Sequence, residues 1–395
     1  MMKVLHLFNL FGAPTEQTWI DCALAQQGHG VETHIACEAV LPGSPGLPGS
    51  PGALRIAAAP VILKRVVVDS ATDPIAELDA IARRPADLNL RALLDEGFDI
   101  VHGHFGPRLL HAAPFLVRGV PVVIGLYGYD ASRLLRDAAW AARYRWAAER
   151  GAIFAVLSEE MRSRIRAIGV ADRSIRIVRL GVPLDEWPFS PTPLAPGAPF
   201  LFVGRLTEKK RPDAAIRAMA LLRSRGLDAS LDIVGSGPLE SPLQELTSSL
   251  RVEDAIRFAG ERTRSEIASR MRSAAALVLP SATASDGDAE GTPVVLMEAQ
   301  ALGTPCITTR HAGIPEVIAP ANHDVLVDER DDVALARSME QCLREPAEAR
   351  LRRQHAGREW IERHFDLQQM ILSYRSLYSR LAECNASSPL CPGRR

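Results

Sequence analysis

The chain lacks three features that would each have narrowed its class. No apolar run reaches the roughly 20 residues that a membrane-spanning helix needs, and the six cysteines among 395 residues include no Cys-x-x-Cys pair. The formal net charge is only −1, whereas a dedicated nucleic-acid-binding protein is clearly basic. We therefore expect a soluble, cytoplasmic protein with reduced thiols, no disulfide framework, no zinc site and no nucleic-acid partner.

Lysine is scarce as well. Only four of the 46 basic residues are lysine, and two of these, Lys209 and Lys210, are adjacent. They stand near Arg205 in FVGRLTEKKRPD (202–213), between a predicted strand and a predicted helix. Flexible and forked cations in such a loop suit a bound diphosphate. A solvated basic loop is an equally simple interpretation.

Short apolar runs alternate with helical stretches throughout the chain. Runs such as KVLHLF, FDIVHGH, FLFVG and AALVLP lack polar alternation, which is typical of parallel strands buried on both faces. The pattern predicts an α/β protein with two doubly wound, Rossmann-like domains. Five prolines within 187–199 indicate a linker between them.

The predicted boundaries follow from this pattern. A tandem LPGSPG repeat at 41–52 predicts a mobile surface loop, because so much proline and glycine cannot pack. The predicted parts are an N-terminal domain (1–186), the linker (187–199), a C-terminal nucleotide-sugar-binding domain (200–365), a C-terminal helix (366–384) and a frayed tail (385–395).

The segment DAEGTPVVLMEAQALGTP (288–305) places Glu298 on the inward face of a predicted helix. Thr292 is the predicted N-cap and Pro293 the first helical residue. No carboxylate occupies the capping-box position, so the helix N-terminus is left open to an anion. An inward carboxylate needs hydrogen-bond donors. The hydroxyls of a nucleotide would supply them, and an internal pair with an arginine is the alternative.

GRLTEKK, GSGPL and EGTPVVLME follow one another in the order and spacing of a known family. They resemble the retaining glycosyltransferases of family 4, which have the GT-B fold. The run from 279 to 317 is similar to the colanic acid and amylovoran exopolysaccharide transferases. The resemblance covers the whole chain, strongly over 200–330. It implies two domains facing across a cleft, with the C-terminal helices packing back toward the first domain.

The resemblance also implies roles for residues that bind the donor. Arg205 and Lys210 would hold the diphosphate, Glu298 the ribose, and Glu290 the hydroxyls of the transferred sugar. Glycines at strand ends would let a ring or phosphate approach the backbone. Arg211 departs from the family, which usually has glycine after the lysine. The predicted donor set is completed by Gly12, Gly204, Gly235, Gly237, Gly291, Thr292, Pro293 and Val294.

The first-domain assignments rest on shorter motifs. His104, in DIVHGHFG, resembles the family's HxHF histidine, although His102 and His104 share one face of a strand end and could instead ligate metal or simply pack. Tyr127 replaces the family's sugar-contacting histidine, and a phenol does not titrate near neutral pH. Asp130 matches the family, and Glu16 is the predicted acceptor contact. The predicted catalytic set is Glu290, Arg205, Lys210, His104, Tyr127 and Asp130.

Two further features bear on partners. The Asp-x-Asp at 286–288 binds a divalent metal in another glycosyltransferase fold, but cations are already supplied here, so we expect no metal and no cofactor beyond the nucleoside diphosphate sugar. The helical stretch 132–150 carries a basic stripe that predicts peripheral contact with an anionic membrane or a lipid-diphosphate acceptor, or else a solvated face. The stripe consists of Arg133, Arg136, Trp140, Arg143 and Arg150.

The resemblance implies retaining, metal-independent transfer of a hexose from a nucleoside diphosphate sugar to a hydroxyl of a growing lipid-linked oligosaccharide. The product would belong to an exopolysaccharide or another cell-surface polysaccharide. A nucleotide-sugar epimerase and a non-catalytic sugar-nucleotide binder on the same fold remain open alternatives.

Overall fold

The computed structural model describes residues 1–11, 17–41, 60–66, 68 and 73–386. Contacts divide the chain into a first unit, formed by Met1–Arg179 and the chain from Gln368 onward, and a second unit, Leu180–Leu367. Each unit contains one parallel sheet, so the prediction of two doubly wound α/β domains is confirmed. Some predicted features lie outside the described residues: Gly12, Glu16, residues 42–52 of the repeat loop and 387–395 of the tail.

The first unit has a seven-stranded sheet in the order β3-β2-β1-β4-β5-β6-β7. The two-residue strand β3 was too short to be predicted. Its strands are β1 (Met2–Phe11), β2 (Val31–Val40), β3 (Val61–Ile62), β4 (Ile100–His104), β5 (Val122–Gly125), β6 (Ile153–Val156) and β7 (Ile175–Ile177). Its helices are α1 (Gln17–Ala25), α2 (Pro74–Arg83), α3 (Leu88–Asp95), α4 (Leu109–Leu116), α5 (Ala138–Glu149) and α6 (Glu159–Ala167).

The second unit has a six-stranded sheet in the order β10-β9-β8-β11-β12-β13. Strand order reverses between β8 and β11, which makes their carboxyl ends the point where such sheets bind ligands. Its strands are β8 (Phe200–Val203), β9 (Leu231–Val234), β10 (Ile256–Gly260), β11 (Leu277–Leu279), β12 (Cys306–Thr309) and β13 (Leu326–Val327). Its helices are α7 (Pro212–Ser224), α8 (Glu240–Ser249), α9 (Arg264–Ser273), α10 (Val294–Leu302), α11 (Ile314–Val317), α12 (Asp332–Arg344) and α13 (Ala347–His364).

The last helix, α14 (Leu367–Ala386), belongs from Gln368 onward to the first unit. The Tyr378 hydroxyl lies 2.6 Å from Nδ1 of His102, and the Tyr374 ring centroid lies 5.0 Å from that of His102. The expectation that C-terminal helical sequence packs back on the first domain is confirmed for this helix.

The segment 187–199 contains no helix or strand, yet it packs on the second unit. Trp187 is buried, and the Ser190 N–H donates to the Leu302 carbonyl at 2.9 Å. The Thr192 carbonyl accepts a hydrogen bond from Gln354 Nε2 at 3.0 Å. The proline-rich segment is therefore irregular and is held on the second unit at these three points, while residues 195–197 are exposed.

The basic stripe predicted along 132–150 is only partly buried. Trp140 and Arg143 are buried, and Arg143 Nη2 lies 2.8 Å from Glu77 Oε2 on α2. Arg133, Arg136 and Arg150 are exposed. Arg143 is thus removed from the stripe by its partner on α2, and peripheral membrane contact through the other three arginines stays a prediction. Among the described residues, no helix is long and apolar enough to cross a bilayer.

Candidate functional site

Two loops of the second unit meet at the sheet's switch point. One follows β8 and contains Lys209 and Lys210, and the other follows β11 and runs to α10. They are joined by a backbone hydrogen bond from the Ala282 N–H to the Lys209 carbonyl, at 2.9 Å. Cations from the first loop therefore stand beside carboxylates from the second.

The central contact of the site is the ion pair between Lys210 and Glu290. Lys210 Nζ lies 2.7 Å from Glu290 Oε1, and the Ser281 hydroxyl donates to the same oxygen at 3.0 Å. Burial opposes ionisation of this carboxyl, but the charges of Lys210 and Lys209 outweigh it and lower the pKa of Glu290 to about 2. Oε2 of Glu290 has no hydrogen-bond partner among the described residues, so one carboxylate oxygen remains to accept a bond from a ligand.

His311 fixes the backbone at Glu290. The Glu290 N–H donates to Nε2 of the buried His311 at 3.1 Å. A backbone N–H can only donate, so Nε2 carries the lone pair and the ring proton lies on Nδ1. Nδ1 lies 2.6 Å from Glu329 Oε1, and Glu329 also accepts from the Thr283 N–H at 2.9 Å. His311 and Glu329 thus hold both ends of the loop that carries Glu290.

The Asp-x-Asp segment serves this loop. Asp288 lies 3.0 Å from Lys209 Nζ, and Asp286 accepts from the Asp288 N–H at 2.9 Å. Lys209 Nζ also contacts the Ala289 carbonyl at 3.4 Å. One carboxylate is therefore neutralised by a buried lysine and the other shapes a turn, an arrangement that favours a structural role over metal binding.

Helix α10 begins one residue later than predicted. Pro293 is the N-cap and Val294 the first helical residue, and no side chain caps the first turn. Thr292, the predicted N-cap, is instead buried with Oγ1 unpartnered among the described residues. Proline has no N–H to offer and its extended ψ of 117° cannot continue a helix. The prediction of a helix end without a capping carboxylate agrees with this geometry.

Glu298 is half-buried on α10. Burial raises the pKa of its carboxyl to about 7, against the nearby charge of Arg264. Arg264 is paired with Glu186, and among the described residues Glu298 makes no hydrogen bond or ion pair. The alternative of an internal arginine partner is therefore not supported, and this carboxyl keeps its need for hydrogen-bond donors.

The glycines after β9 are required by packing of one loop on another. A Cβ at Gly235 would lie 2.0 Å from the Gly204 carbonyl oxygen, and one at Gly237 would lie 2.5 Å from the Leu206 carbonyl oxygen. Their φ angles of 131° and 158° are also ones that other residues rarely adopt. These glycines bring the β9 loop against the β8 loop, and close approach of a ligand to their backbone stays a prediction.

Two further cations of the β8 loop, Arg205 and Arg211, differ in exposure and in ion pairing. Arg205 is exposed, and its side chain has no hydrogen bond or ion pair within the described chain. Arg211, where the family usually has glycine, adopts φ 53°, the left-handed region that favours glycine. Arg211 is held there by Asp213 at 3.0 Å and Asp332 at 3.4 Å. The departure is therefore accommodated without moving Lys210 away from Glu290.

In the first unit His104 belongs to a cluster of three buried histidines. His6, His102 and His104 have ring nitrogens within 4.8 Å of one another, and His6 Nδ1 lies 3.0 Å from His104 Nε2. Burial lowers the pKa of His6 to about 3 and also lowers the pKa of His102 and His104. Ring nitrogens of this cluster already take part in hydrogen bonds, with Tyr378 from His102 Nδ1 at 2.6 Å and with Tyr127 from His104 Nδ1 at 2.8 Å. This geometry favours neutral, hydrogen-bonded rings over a metal centre.

Tyr127 and Asp130 complete this region. The Tyr127 hydroxyl lies 2.8 Å from His104 Nδ1, and its ring stacks on Trp19 at 3.5 Å. Asp130 is fully buried and accepts backbone N–H bonds from Tyr127, Gly128 and Gly106 at 2.8–3.0 Å. Burial raises the pKa of Asp130 against those bonds. The structure thus gives Asp130 a loop-shaping position, and its predicted catalytic role stays a prediction.

Sequence reasoning missed Lys209, His311, Glu329, Ser281 and His6. Lys209 was noticed as a cation but not as the partner of Asp288. His311 and Glu329 lie 21 and 39 residues beyond Glu290 and meet it only through the order of β11, β12 and β13. His6 lies opposite His102 in the register of β1 and β4. The presence of a histidine on each of the central strands β1 and β4 could have indicated that His6 lies beside His102.

The raised pKa of Glu298 predicts that the protein is more stable without this carboxyl at alkaline pH. A carboxyl whose pKa rises from 4.5 to about 7 loses stability as pH increases through that interval, because the unfolded chain releases its proton first. Allowing for partial exposure, Glu298→Gln should stabilise the protein by about 2 kcal/mol near pH 8 and by much less near pH 5. Denaturant unfolding of both proteins at the two pH values measures this. The exposed control Glu253→Gln should change little, and a pH-independent difference for Glu298→Gln would contradict the assignment.

His311→Leu should destabilise the second unit. It leaves the Glu290 N–H without an acceptor and the partly buried Glu329 with the Thr283 N–H but without the His311 ring, and an unpaired buried polar group costs about 1–3 kcal/mol. We expect a loss of about 2–4 kcal/mol in denaturant unfolding. The exposed His355→Leu is the matched control, and equal stability of the two variants would show that His311 does not anchor the loop.

Two family descriptions match consecutive parts of the chain. Residues 15–186 match "Glycosyltransferase Family 4", and residues 187–360 match "Glycosyl transferases group 1". Together they cover both units except for the ends of the chain.

Curated relatives include two bacterial glycosyltransferases. The chain is 34% identical over 248 residues to the "Putative colanic acid biosynthesis glycosyltransferase WcaL" of Escherichia coli K12, which covers 61% of this chain and 60% of that protein. It is 35% identical over 181 residues to the "Amylovoran biosynthesis glycosyltransferase AmsK" of Erwinia amylovora, covering 46% and 44%. The chain therefore spans about 60% or less of the length of these relatives.

Solved structures share the fold at low identity. Anabaena Alr3699/HepE in complex with UDP and glucose has a TM-score of 0.74 at 16% identity, over 96% of this chain and 100% of that chain. Sucrose-phosphate synthase from Thermosynechococcus elongatus has a TM-score of 0.72 at 19% identity, over 97% and 100%. These similarities establish the GT-B type of fold.

Proposed function

Because the chain belongs to the glycosyltransferases of family 4, we propose that it transfers a hexose from a nucleoside diphosphate sugar to a hydroxyl of a growing, lipid-linked oligosaccharide. The product belongs to an exopolysaccharide or another cell-surface polysaccharide. The observation that carries this proposal is the Lys210–Glu290 pair at the β8/β11 switch point. It sets a cation for phosphate beside a carboxylate oxygen for a sugar hydroxyl.

The charges of the second unit suit a departing diphosphate. Lys210 has three N–H donors, of which the Glu290 contact uses one, and Arg205 is exposed without an ion pair in the described chain. The first turn of α10 adds backbone N–H groups that no side chain caps. Fixed donors of this kind stabilise negative charge as it develops on a leaving group. Gly204 and the backbone of 291–294 line the same two loops.

The two glutamates take different parts of the donor. Glu290 is held ionised by its lysines, with a pKa of about 2, so it accepts hydrogen bonds from hydroxyls of the transferred sugar. Glu298 lacks a protein partner among the described residues and accepts bonds from the ribose hydroxyls. Donor binding would thereby supply the hydrogen bonds that this carboxyl lacks.

Transfer with retention is the finer part of the proposal. The bond between the anomeric carbon and the phosphate oxygen breaks, and the acceptor oxygen bonds to that carbon on the same face. The acceptor proton passes to the leaving phosphate oxygen. The cations of the β8 loop support this step without a metal, and the engagement of Asp288 by Lys209 agrees with that proposal. The first unit binds the acceptor, and the enzyme works at the cytoplasmic face of the membrane.

Arg205→Ala should weaken donor use while leaving the fold intact. The side chain makes no ion pair in the described chain, so unfolding should shift by less than about 0.5 kcal/mol. Loss of one fixed donor to the diphosphate should lower kcat/KM by about 100-fold. Initial rates with a panel of labelled UDP-, GDP- and ADP-sugars measure this, and the same panel identifies the donor.

The control for this experiment is Arg217→Ala, another exposed arginine of the second unit. It should behave as the unchanged protein. Equal turnover by Arg205→Ala would remove Arg205 from the diphosphate site. Labelled donor recovered as an epimer, or bound and unchanged with every acceptor tried, would overturn glycosyl transfer.

The stereochemistry and the metal independence are tested on the product. We expect the new linkage to keep the anomeric configuration of the donor, as read from the anomeric NMR coupling, and turnover to continue in excess chelator. An inverted linkage would overturn retention. Loss of activity in chelator that returns with Mg²⁺ or Mn²⁺ would overturn metal independence.

A further inference from the structure

A groove of about 760 Å³ opens on the first unit, away from the histidine cluster. Its walls are the residues that follow β3 and the turn between α2 and α3. Because β3 is an edge strand of a parallel sheet, the groove lies at the carboxyl edge, beyond β2 and β1. The proposed binding of donor and acceptor does not involve this groove.

Four cations surround this groove. Lys64, Arg65, Arg83 and Arg84 are all exposed, and none has an ion pair within the described chain. Among the described residues that line the groove, Asp87 is the one carboxylate. It is buried and accepts the backbone N–H groups of Asn89, Leu90 and Lys64. Its charge is therefore engaged in holding the helix start, and the rim keeps a clear positive excess.

The groove floor and its surroundings are apolar. The floor is formed by Val66, Ala80, Ile81, Pro85, Ala86 and Leu90. Beside it, Leu88 is 70% exposed and Ile62 is 46% exposed. Asn89, next to Leu88 in the chain, donates from Nδ2 to the Ile62 carbonyl at 2.7 Å and so links the start of α3 to β3. Two large apolar side chains next to unpaired cations form a surface that is amphipathic as well as basic.

Cations beside apolar side chains favour one class of anionic partner over another. Single-stranded nucleic acid is bound through aromatic stacking platforms, and the groove lining has no aromatic residue. Clustered Lys and Arg beside exposed Leu and Ile instead match the interfacial region of an anionic bilayer, where phosphates meet acyl chains.

We propose that this basic groove docks the protein on anionic phospholipid, with Lys64, Arg65, Arg83 and Arg84 contacting headgroup phosphates and Ile62 and Leu88 entering the acyl boundary. The inference deepens the proposed function, because it names the surface that brings the enzyme to a lipid-linked acceptor. It adds a membrane contact that is separate from the 132–150 stripe, of which Arg143 is buried and paired with Glu77.

The test is co-sedimentation of the full chain with phosphatidylcholine vesicles, with and without phosphatidylglycerol. We expect binding that needs phosphatidylglycerol and weakens with added salt. Changing the four rim cations together to Gln should lower the partition coefficient at least about 100-fold, since each basic residue near such a surface contributes about fivefold. Ile62→Ser with Leu88→Ser should lower binding at every salt concentration, because it removes the apolar part.

The matched control replaces four exposed arginines that lie elsewhere and have no ion pair in the described chain: Arg217, Arg337, Arg363 and Arg375, each to Gln. It should bind vesicles like the unchanged protein. Circular dichroism and thermal unfolding confirm that each variant is folded.

Several results would overturn the proposal: equal binding by the rim variant and the control, binding to phosphatidylcholine alone, or displacement by a soluble acidic peptide at concentrations that vesicles cannot match. The vesicle assay contains neither donor nor acceptor. Its failure is therefore distinct from failure of glycosyl transfer, which the Arg205→Ala rates address without vesicles.

Discussion

The site of the second unit depends on keeping a carboxylate ionised below the surface. Glu290 is only 6% exposed, and an unpaired charge there would cost several kcal/mol. Lys210 at 2.7 Å and the Ser281 hydroxyl at 3.0 Å supply the compensation. Removing one partner of a buried ion pair is strongly destabilising. The β8 and β11 loops must therefore keep their positions relative to each other. The hydrogen bonds that Lys209 donates to Asp288 and that the Glu290 N–H donates to His311 help to hold the two loops in place.

Glu298 follows the opposite principle. Its carboxyl is half-buried with no partner in the described chain, and its pKa of about 7 shows the resulting penalty against ionisation. If Glu298 binds the ribose as proposed, ligand hydroxyls would relieve this penalty, and the instability would contribute to binding specificity. Glu290 and Glu298 lie eight positions apart, yet their surroundings shift the pKa in opposite directions. Neighbouring lysines lower the pKa of Glu290, and burial raises that of Glu298.

The sequence was sufficient to predict those features that depend on residues close together in the chain. Of the thirteen strands in the described residues, twelve follow from apolar runs, and only β3, with two residues, was missed. The loops after β8 and β11 were identified because the residues of each loop are close in sequence. Contacts that depend on strand order were not found: His311 reaches Glu290 across β11 and β12. The burial of Arg143 was missed for a related reason, since helical periodicity identifies a face but not the helix, here α2, that covers part of it.

The two units solve the burial of polar groups in different ways, and the difference matches the two substrates proposed for them. In the first unit burial lowers the pKa of His6 to about 3 and also lowers the pKa of His102 and His104, so this histidine cluster tends toward neutral hydrogen-bonding rings. In the second, lysines lower the pKa of Glu290 to about 2, so charges persist in pairs. A neutral network suits an acceptor hydroxyl, whose proton leaves only as the new bond forms. Paired charges suit a diphosphate, whose negative charge is present from the start and grows as it departs.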